Sequence, residues 1–527
     1  VSTKLLVNGR IHSPSNPDAT AMAITDGIVV WLGDDTPARA LHPDAEVVDL
    51  AGAFVAPAFV DAHVHLTDTG LGMIGLDLSH SESLAACLAA VRAHAERNPD
   101  APVLWGHGWD DTDWPEGRAP RTDELDECAP SRAVYLARVD EHSAVASSTL
   151  RAGAEAPDVL TGPEHHAVRA RARALLPAHD LAVARRAVLD HAAAQGIVAV
   201  HECGGPEING LEDFQAVLAL EHGVAVRGYW GQLADTPEHA RELLESTGAH
   251  ALGGDLFVDG ALGSHTAWVT DGYADSDAAG TGRAFLTVDQ IADHLRACTA
   301  AKIQAGFHAI GDGAVSAVAE AFRQVADELG VAAIASCGHR IEHVEMISAE
   351  QSAQLGGLAV IASVQPQFDA RWGGADSMYA TRLGAERAAR MNPFAMMAAD
   401  GLSLAIGSDA PVTAMRPWDA VRAAIHHQTS GSGVSARGAF TAATRGAWRA
   451  GGRRDGLAGT LVAGAPASYA VWETGELVVA SASGSVQRWS MDPRSRVPAL
   501  PDLSDAENNP VCLRTVRDGV TIYERAV

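Results

Sequence analysis

Between residues 58 and 450, apolar β-rich segments alternate with alanine-rich helical ones, and this alternation leaves the chain few architectures. The expected strands are Phe59–His65, Gly196–His201, Ala225–Trp230, Asp255–Asp259, Ile303–His308, Arg340–His343, Leu358–Val364 and Leu402–Asp409. Helical stretches such as Ala178–Gln195, Val288–Ala301 and Val315–Leu329 separate most of them. The pattern predicts an α/β fold built on a parallel (β/α)8 TIM-like barrel, with a doubly wound open sheet as the alternative. No Gly-x-Gly-x-x-Gly follows a strand and no P-loop occurs, so nothing in the sequence supports nucleotide binding. The gap between the first two strands is too long for a loop. Residues 67–195 carry a helical stretch, Ser83–Arg97, and strand patterns at Pro102–His107 and Ala133–Arg138. They are expected to form an inserted subdomain over the barrel mouth.

The two ends of the chain resemble each other. Residues 1–57 hold short strands punctuated by Asn8-Gly9 and Asp26-Gly27, and 451–527 ends in a strand–Asp518-Gly519–strand unit. Asn-Gly and Asp-Gly between apolar runs are hairpin signals. Each end alone is too small to close a core, so the expectation is one small β-sandwich built from both, with 58–450 inserted between.

The net charge of −27 argues against nucleic acid or an anionic membrane as partner, since both repel an acidic surface. Cys87, Cys128, Cys203, Cys298, Cys337 and Cys512 follow no paired pattern and read as reduced core residues. There is no charged-then-apolar leader and no apolar run of about 20 residues, so a cytoplasmic protein is expected by default. Homodimers are the commonest oligomers, but no stretch marks an interface.

The chemistry sits at strand ends. In Val60-Asp61-Ala62-His63-Val64-His65 the two histidines project to the same side of a strand, about 7 Å apart along it. His308 ends a later strand, His343 the next and Asp409 the last. Catalytic residues of such barrels come from the C-terminal ends of several strands and converge on one mouth. Four histidines and an aspartate so placed point to a divalent metal site, with zinc, as one or two ions, the natural occupant.

With these stretches in view the chain resembles the amidohydrolase superfamily, and within it the amidohydrolase 3 branch that includes N-substituted formamide deformylases. The likeness rests on Leu5-Leu6-Val7-Asn8-Gly9-Arg10-Ile11, Val60–His65, Gly106-His107-Gly108-Trp109-Asp110, Asp140-Glu141-His142-Ser143-Ala144 and Val258-Asp259-Gly260-Ala261-Leu262-Gly263-Ser264. It continues through His308-Ala309-Ile310-Gly311-Asp312, Arg340-Ile341-Glu342-His343, Ser363-Val364-Gln365-Pro366-Gln367 and Gly407-Ser408-Asp409-Ala410-Pro411. The resemblance implies a metal held by His63, His65, His308 and His343, with Asp409 as ligand and proton shuttle. It also implies an activated water attacking a polarised carbonyl. Many relatives carry a carbamylated, metal-bridging lysine on the fourth strand. Here Asp255 of Asp255-Leu256-Phe257-Val258-Asp259-Gly260 occupies that place. An aspartate is much shorter than a carbamylated lysine and is expected to fall short of bridging two ions, which makes a single-metal site plausible. Glu202, beside His201, is the other acid that could bridge.

Four further residues are expected to bind substrate. Trp109 and Asp110 lie in the insert and could close on it, and His142 and Gln365 could bind its carbonyl or amide. The alternatives are insert core for Trp109 and loop hydrogen bonding for His142 and Gln365. His107 and His201 are expected to be structural, and the pairs His165-His166 and His426-His427 to lie on the surface. The resulting expectation is a metal-dependent hydrolase of a small-molecule C–N bond, an amide or N-formyl group. The same site would also serve an esterase, a deaminase or an isomerase, and loss of metal would leave a silent binder of a small ligand.

Overall fold

The computed structural model describes residues 2–151, 157–479 and 497–526. Eight short strands carry the central domain: β1 Phe59–Val64, β2 Ile197–Gly204, β3 Ala225–Trp230, β4 Ala251–Leu252, β5 Gly306–Ala309, β6 Arg340–His343, β7 Ile361–Val364 and β8 Ser403–Ile406. They form two parallel four-stranded sheets, ordered β4-β3-β2-β1 and β5-β6-β7-β8. Isolated parallel bridges link the sheet edges, Leu252 with Ala305 and Val64 with Ala410. Every residue of β1, β2, β5, β6 and β7 is buried, as expected of parallel strands covered on both faces. The architecture is therefore α/β and TIM-like, in line with the reading from strand–helix alternation.

The helices follow their apolar periodicity. Asp312–Leu329 buries Val315, Val318, Phe322 and Val325, one stripe at helical spacing. Val288–Ala301 starts on a capping box in which Thr287 and Gln290 each satisfy the other's backbone N–H. Leu66–Ile74 and Ala178–Ala194 contribute Leu66, Val188, Leu189 and Ala192 to the central core. Between those two helices lies a separate five-stranded sheet, running from Leu76–Asp77 to Leu160–Thr161 in the chain. It has its own cores, one around Leu104, Trp109 and Leu136 and another around Trp105, Tyr135 and Ala144.

One strand differs from expectation. Asp255–Asp259 is not a strand, and the fourth strand is the earlier pair Ala251–Leu252. The reason lies at Gly253. Its φ is 157°, and a Cβ there would meet the backbone nitrogen of Gly306 at 2.3 Å. The chain thus passes against β5 where a side chain has no room, and beyond Asp255 it keeps only an isolated parallel bridge, Phe257 with His308.

Both chain ends contribute to one five-stranded sheet: Arg10–Ile11, Phe54–Pro57, Tyr469–Glu473, Val511–Arg517 and Val520–Glu524, in that order. A four-stranded sheet of Ile28–Gly33, Ala21–Thr25, Thr3–Val7 and Glu46–Asp49 shares a core with it through Leu6, Met22, Val55, Tyr469 and Val516. Asp26-Gly27 and Asp518-Gly519 make the expected hairpins. Asn8-Gly9 does not: it passes the chain from one sheet to the other. A helix, Asp35–Leu41, was not expected among the N-terminal strands. Of the expected C-terminal part 451–527, residues 480–496 and 527 lie outside the described residues. All six cysteines are free and buried. No helix among the described residues is long and apolar enough to cross a membrane.

His339, just ahead of β6, gives the fold a measurable pH dependence. Its Nδ1 accepts the Ala305 N–H at 2.8 Å, and burial lowers its pKa to about 3. The folded state therefore keeps this ring neutral where the unfolded chain protonates it. The stabilisation is complete above the unfolded value near 6.5 and is lost as pH falls toward the folded value. Relative to His339→Gln, the parent should lose at most about 1.4 kcal/mol per pH unit over that window. Parallel urea titrations at pH 7 and 5 would show this, and an unchanged difference between the two proteins would contradict it.

Candidate metal centre

The C-terminal ends of β1, β5, β6 and β8, and the turn after β4, converge on one buried cluster. Carboxylate and imidazole atoms face each other across it. His65 Nε2 lies 3.0 Å from Asp255 Oδ2 and 3.3 Å from Asp409 Oδ1. His63 Nε2 lies 3.4 Å from Asp255 Oδ1 and 3.3 Å from Asp409 Oδ1, and His343 Nε2 is 3.7 Å from Asp255 Oδ1. Three sets, His63–His65–Asp255, His63–His343–Asp409 and Asp255–His308–His343, each bring their ligand atoms within 4.8 Å of one another. Asp255 belongs to two of them.

Local backbone explains the convergence. The Asp409 N–H donates to the His63 carbonyl, and the His65 N–H to the Ala410 carbonyl, both at 2.8 Å. Asp61 accepts the Ser408 N–H at 2.8 Å from the same side. The turn after β8 is thereby stitched to the end of β1. Gly407 permits the approach, since a Cβ there would meet the His63 nitrogen at 2.5 Å. His343 and Asp409 both hold left-handed φ values, 69° and 54°, a strained backbone of the kind found at functional sites.

The imidazoles are oriented from behind. His63 Nδ1 is 2.8 Å from Glu342 Oε2, and His343 Nδ1 is 2.8 Å from Gln365 Oε1. As donors there, both rings turn the Nε2 lone pair into the cluster. Glu342 is in turn gripped by Arg340, which also donates to Ser363 Oγ and the Ala62 carbonyl. Against the cost of burial, the Arg340 guanidinium holds the Glu342 pKa well below the usual carboxylate range.

The cluster suits a cation. His63 Nε2, His308 Nε2, Asp255 Oδ1 and Asp409 Oδ1 are buried without a hydrogen-bond partner. Buried polar atoms are seldom left so, and their shared direction is that of a ligand set. Burial opposes a charged His65, yet the nearby carboxylates of Asp255 and Asp409 hold its pKa well above the ordinary value. The two carboxylates demand positive charge among the rings, and imidazole nitrogens with carboxylate oxygens are what zinc and related ions take.

The structure brings together all five residues expected from strand ends, and adds Asp255 to them. Asp255 reaches the cluster, 3.0 Å from His65 Nε2 and 3.4 Å from His63 Nε2. Glu202 is placed elsewhere. Its Oε2 accepts the Leu66 N–H at 2.8 Å, at the start of the Leu66–Ile74 helix, and its Oε1 the Asn209 side-chain amide at 3.0 Å, so both oxygens are engaged away from the cluster. Burial pushes its pKa up to about 7.

Trp109 is a correction. It is buried in the insert's own core, donates its indole N–H to the Leu136 carbonyl at 2.9 Å, and packs near Trp114. Asp110 is bound to Arg138 at 2.6 Å, behind the cavity. Gln365 orients His343, and its Nε2 is buried and unpartnered. His142 does reach the cavity, its ring 5.1 Å from that of His308, and burial followed by the charge of His308 holds its pKa well below the ordinary value. Beside it an apolar wall is formed by Leu262, Ile310, Phe368, Trp372, Met378 and Val412.

His107 pairs with Glu141 at 3.2 Å, and His201 Nδ1 lies 3.1 Å from Arg340. His165, expected on the surface, is fully buried against the Tyr135 hydroxyl at 2.7 Å, and His166 lines the cavity. His427 is half-buried on the Asn392 carbonyl at 3.0 Å. Arg340 and Glu342 escaped the sequence reading as functional residues. The available signal was two opposite charges at i and i+2 in a strand, which places both on one face.

Residues 46–523 match the family model described as "Amidohydrolase family". The chain is 26% identical over 464 residues to "Protein LONG AFTER FAR-RED 3" of Arabidopsis thaliana, covering 81% of this chain and 78% of that protein. It is 30% identical over 149 residues to an N-substituted formamide deformylase of Arthrobacter pascens, covering 27% of this chain and 28% of that one. Among solved structures, an uncharacterized metal-dependent hydrolase from Pyrococcus horikoshii OT3 superimposes with a TM-score of 0.69 at 23% identity, over 90% of this chain and 98% of that chain.

Proposed function

The chain belongs to the amidohydrolase family, and on that premise we propose that it hydrolyses a C–N bond, an amide or N-formyl group, of a small molecule with the help of a divalent metal. The observation that carries this reading is the cluster of His63, His65, Asp255, His308, His343 and Asp409, with its unpartnered ligand atoms aimed at one another. These six side chains would hold the metal, zinc by the character of the donors. Asp255, shared by two ligand sets, is suited to serve two ions. When bound, such an ion supplies Lewis acidity that brings water toward a pKa of about 7 and polarises a carbonyl.

The chain's own residues supply the rest. Asp409 Oδ1, buried and unpartnered, can take a proton from the attacking water and return it to the leaving nitrogen. Neutral His142, beside His308, is placed to donate to a substrate carbonyl oxygen. The apolar wall next to it favours a substrate whose group beyond the scissile bond is hydrophobic. In this reading the eight strands form one barrel, residues 67–195 are the insert at its mouth, and 1–57 with 451–527 form the flanking sandwich. A panel of N-formyl amines, linear and cyclic amides and matched esters, assayed with added zinc, tests the reaction class. Turnover of esters alone would contradict it.

Glu342→Gln tests the orienting partner. The change keeps the shape but weakens the hold on His63 Nδ1, and metal affinity is expected to fall about 10–100-fold in chelator competition. Unchanged affinity would remove Glu342 from the account.

A further inference from the structure

A cavity of about 850 Å³ lies at the opposite end of the strands from the metal cluster. Its walls include Ile361 and Ser403, the first residues of β7 and β8, so it opens on the face where barrel conservation ordinarily serves stability. Five arginines line it: Arg437, Arg445, Arg449, Arg453 and Arg454. No aspartate or glutamate lines it. The first three ride on one helical run, Ala436–Ala450, interrupted by a π-helical turn at Ala442–Gly446.

This concentration is at odds with the rest of the molecule, whose net charge is −27. Several exposed arginines elsewhere carry carboxylates: Arg296 has Asp293 and Glu328, Arg323 has Glu320 and Asp327, and Arg390 has Glu386. Among the described residues, none of the five forms an ion pair. Arg454 donates to the Ser336 carbonyl. The neighbouring carboxylate Asp455 spends Oδ1 on the Leu457 and Ala458 N–H groups. Behind the cluster Arg227 adds further positive charge, its Nε buried and unpartnered and its side chain against Gly451 and Gly452. Like charges gathered without a direct ion pair repel one another, and an anion bound among them would relieve that repulsion.

We propose that this cavity binds a small polyanion bearing at least two phosphate groups. The guanidinium fork matches phosphate oxygens in pairs, and five forks exceed what one phosphate engages. The volume falls within the range of small-molecule sites. A long polyanion is disfavoured because the net charge of −27 on the whole chain repels it.

Inorganic tripolyphosphate titrated calorimetrically into the full chain tests this. The expected result is one saturable site per chain, weakened by added salt. Affinity should fall at least about ten-fold in Arg445→Gln/Arg449→Gln and stay unchanged in Arg390→Gln. Arg453→Gln alone, with an intermediate loss, covers the case in which the double variant does not fold. Absence of saturable heat, an equal loss in Arg390→Gln, or equally tight binding of citrate would each overturn the proposal.

Discussion

Asp409→Asn is expected to lower kcat by about 10²–10⁴-fold while the protein keeps its metal. The argument is local. Asp409 Oδ1 sits 3.3 Å from both His63 Nε2 and His65 Nε2, buried and without a hydrogen-bond partner. The stitched turn after β8 fixes it there, through the His63 carbonyl and the left-handed backbone at Asp409 itself. An amide of the same shape preserves those contacts and retains an oxygen to face the ion, but it cannot accept a proton from water and pass it to a leaving nitrogen. The effect should therefore appear in kcat, with metal content retained. An Asn variant that turns over at the parental rate would remove Asp409 from proton transfer and leave it a ligand only.

Asp255→Ala should have a comparably large effect by a different route. Asp255 lies within 3.0–3.7 Å of Nε2 atoms of His63, His65 and His343, and belongs to two of the ligand sets. Burial works against its ionisation, but the charge of His63 and the closeness of the His343 and His65 rings keep its carboxyl well below the usual range. Removing it takes away the anion on which the imidazoles converge. The variant is expected to lose metal on dialysis and with it activity, while circular dichroism remains native, because Asp255 lies beyond the end of β4 and pairs with no strand. Retained stoichiometry would show that Asp255 is a bystander and that the histidines with Asp409 suffice.

Much of this was legible in the sequence. The strand–helix alternation and the strand-end positions of His63, His65, His308, His343 and Asp409 carried the site, because a barrel gathers its strand ends in one place whatever its loops do. What could not be read was reach. Asp255 looked too short for a bridging role, and local sequence does not reveal how near the fold carries it to His63 and His65. Glu202 and Trp109 misled for the same reason: a buried acid serves equally as a helix-start acceptor, and an aromatic in an insert serves equally as core. His165 looked like a surface residue because local sequence does not reveal that Tyr135 covers it.

The central claim is that these side chains hold a metal. Elemental analysis of the purified protein, set beside His63→Ala/His65→Ala, tests it most directly. The account predicts at least one divalent ion per chain in the parent and loss of that ion in the double variant. A parent that carries no metal after incubation with zinc would contradict it.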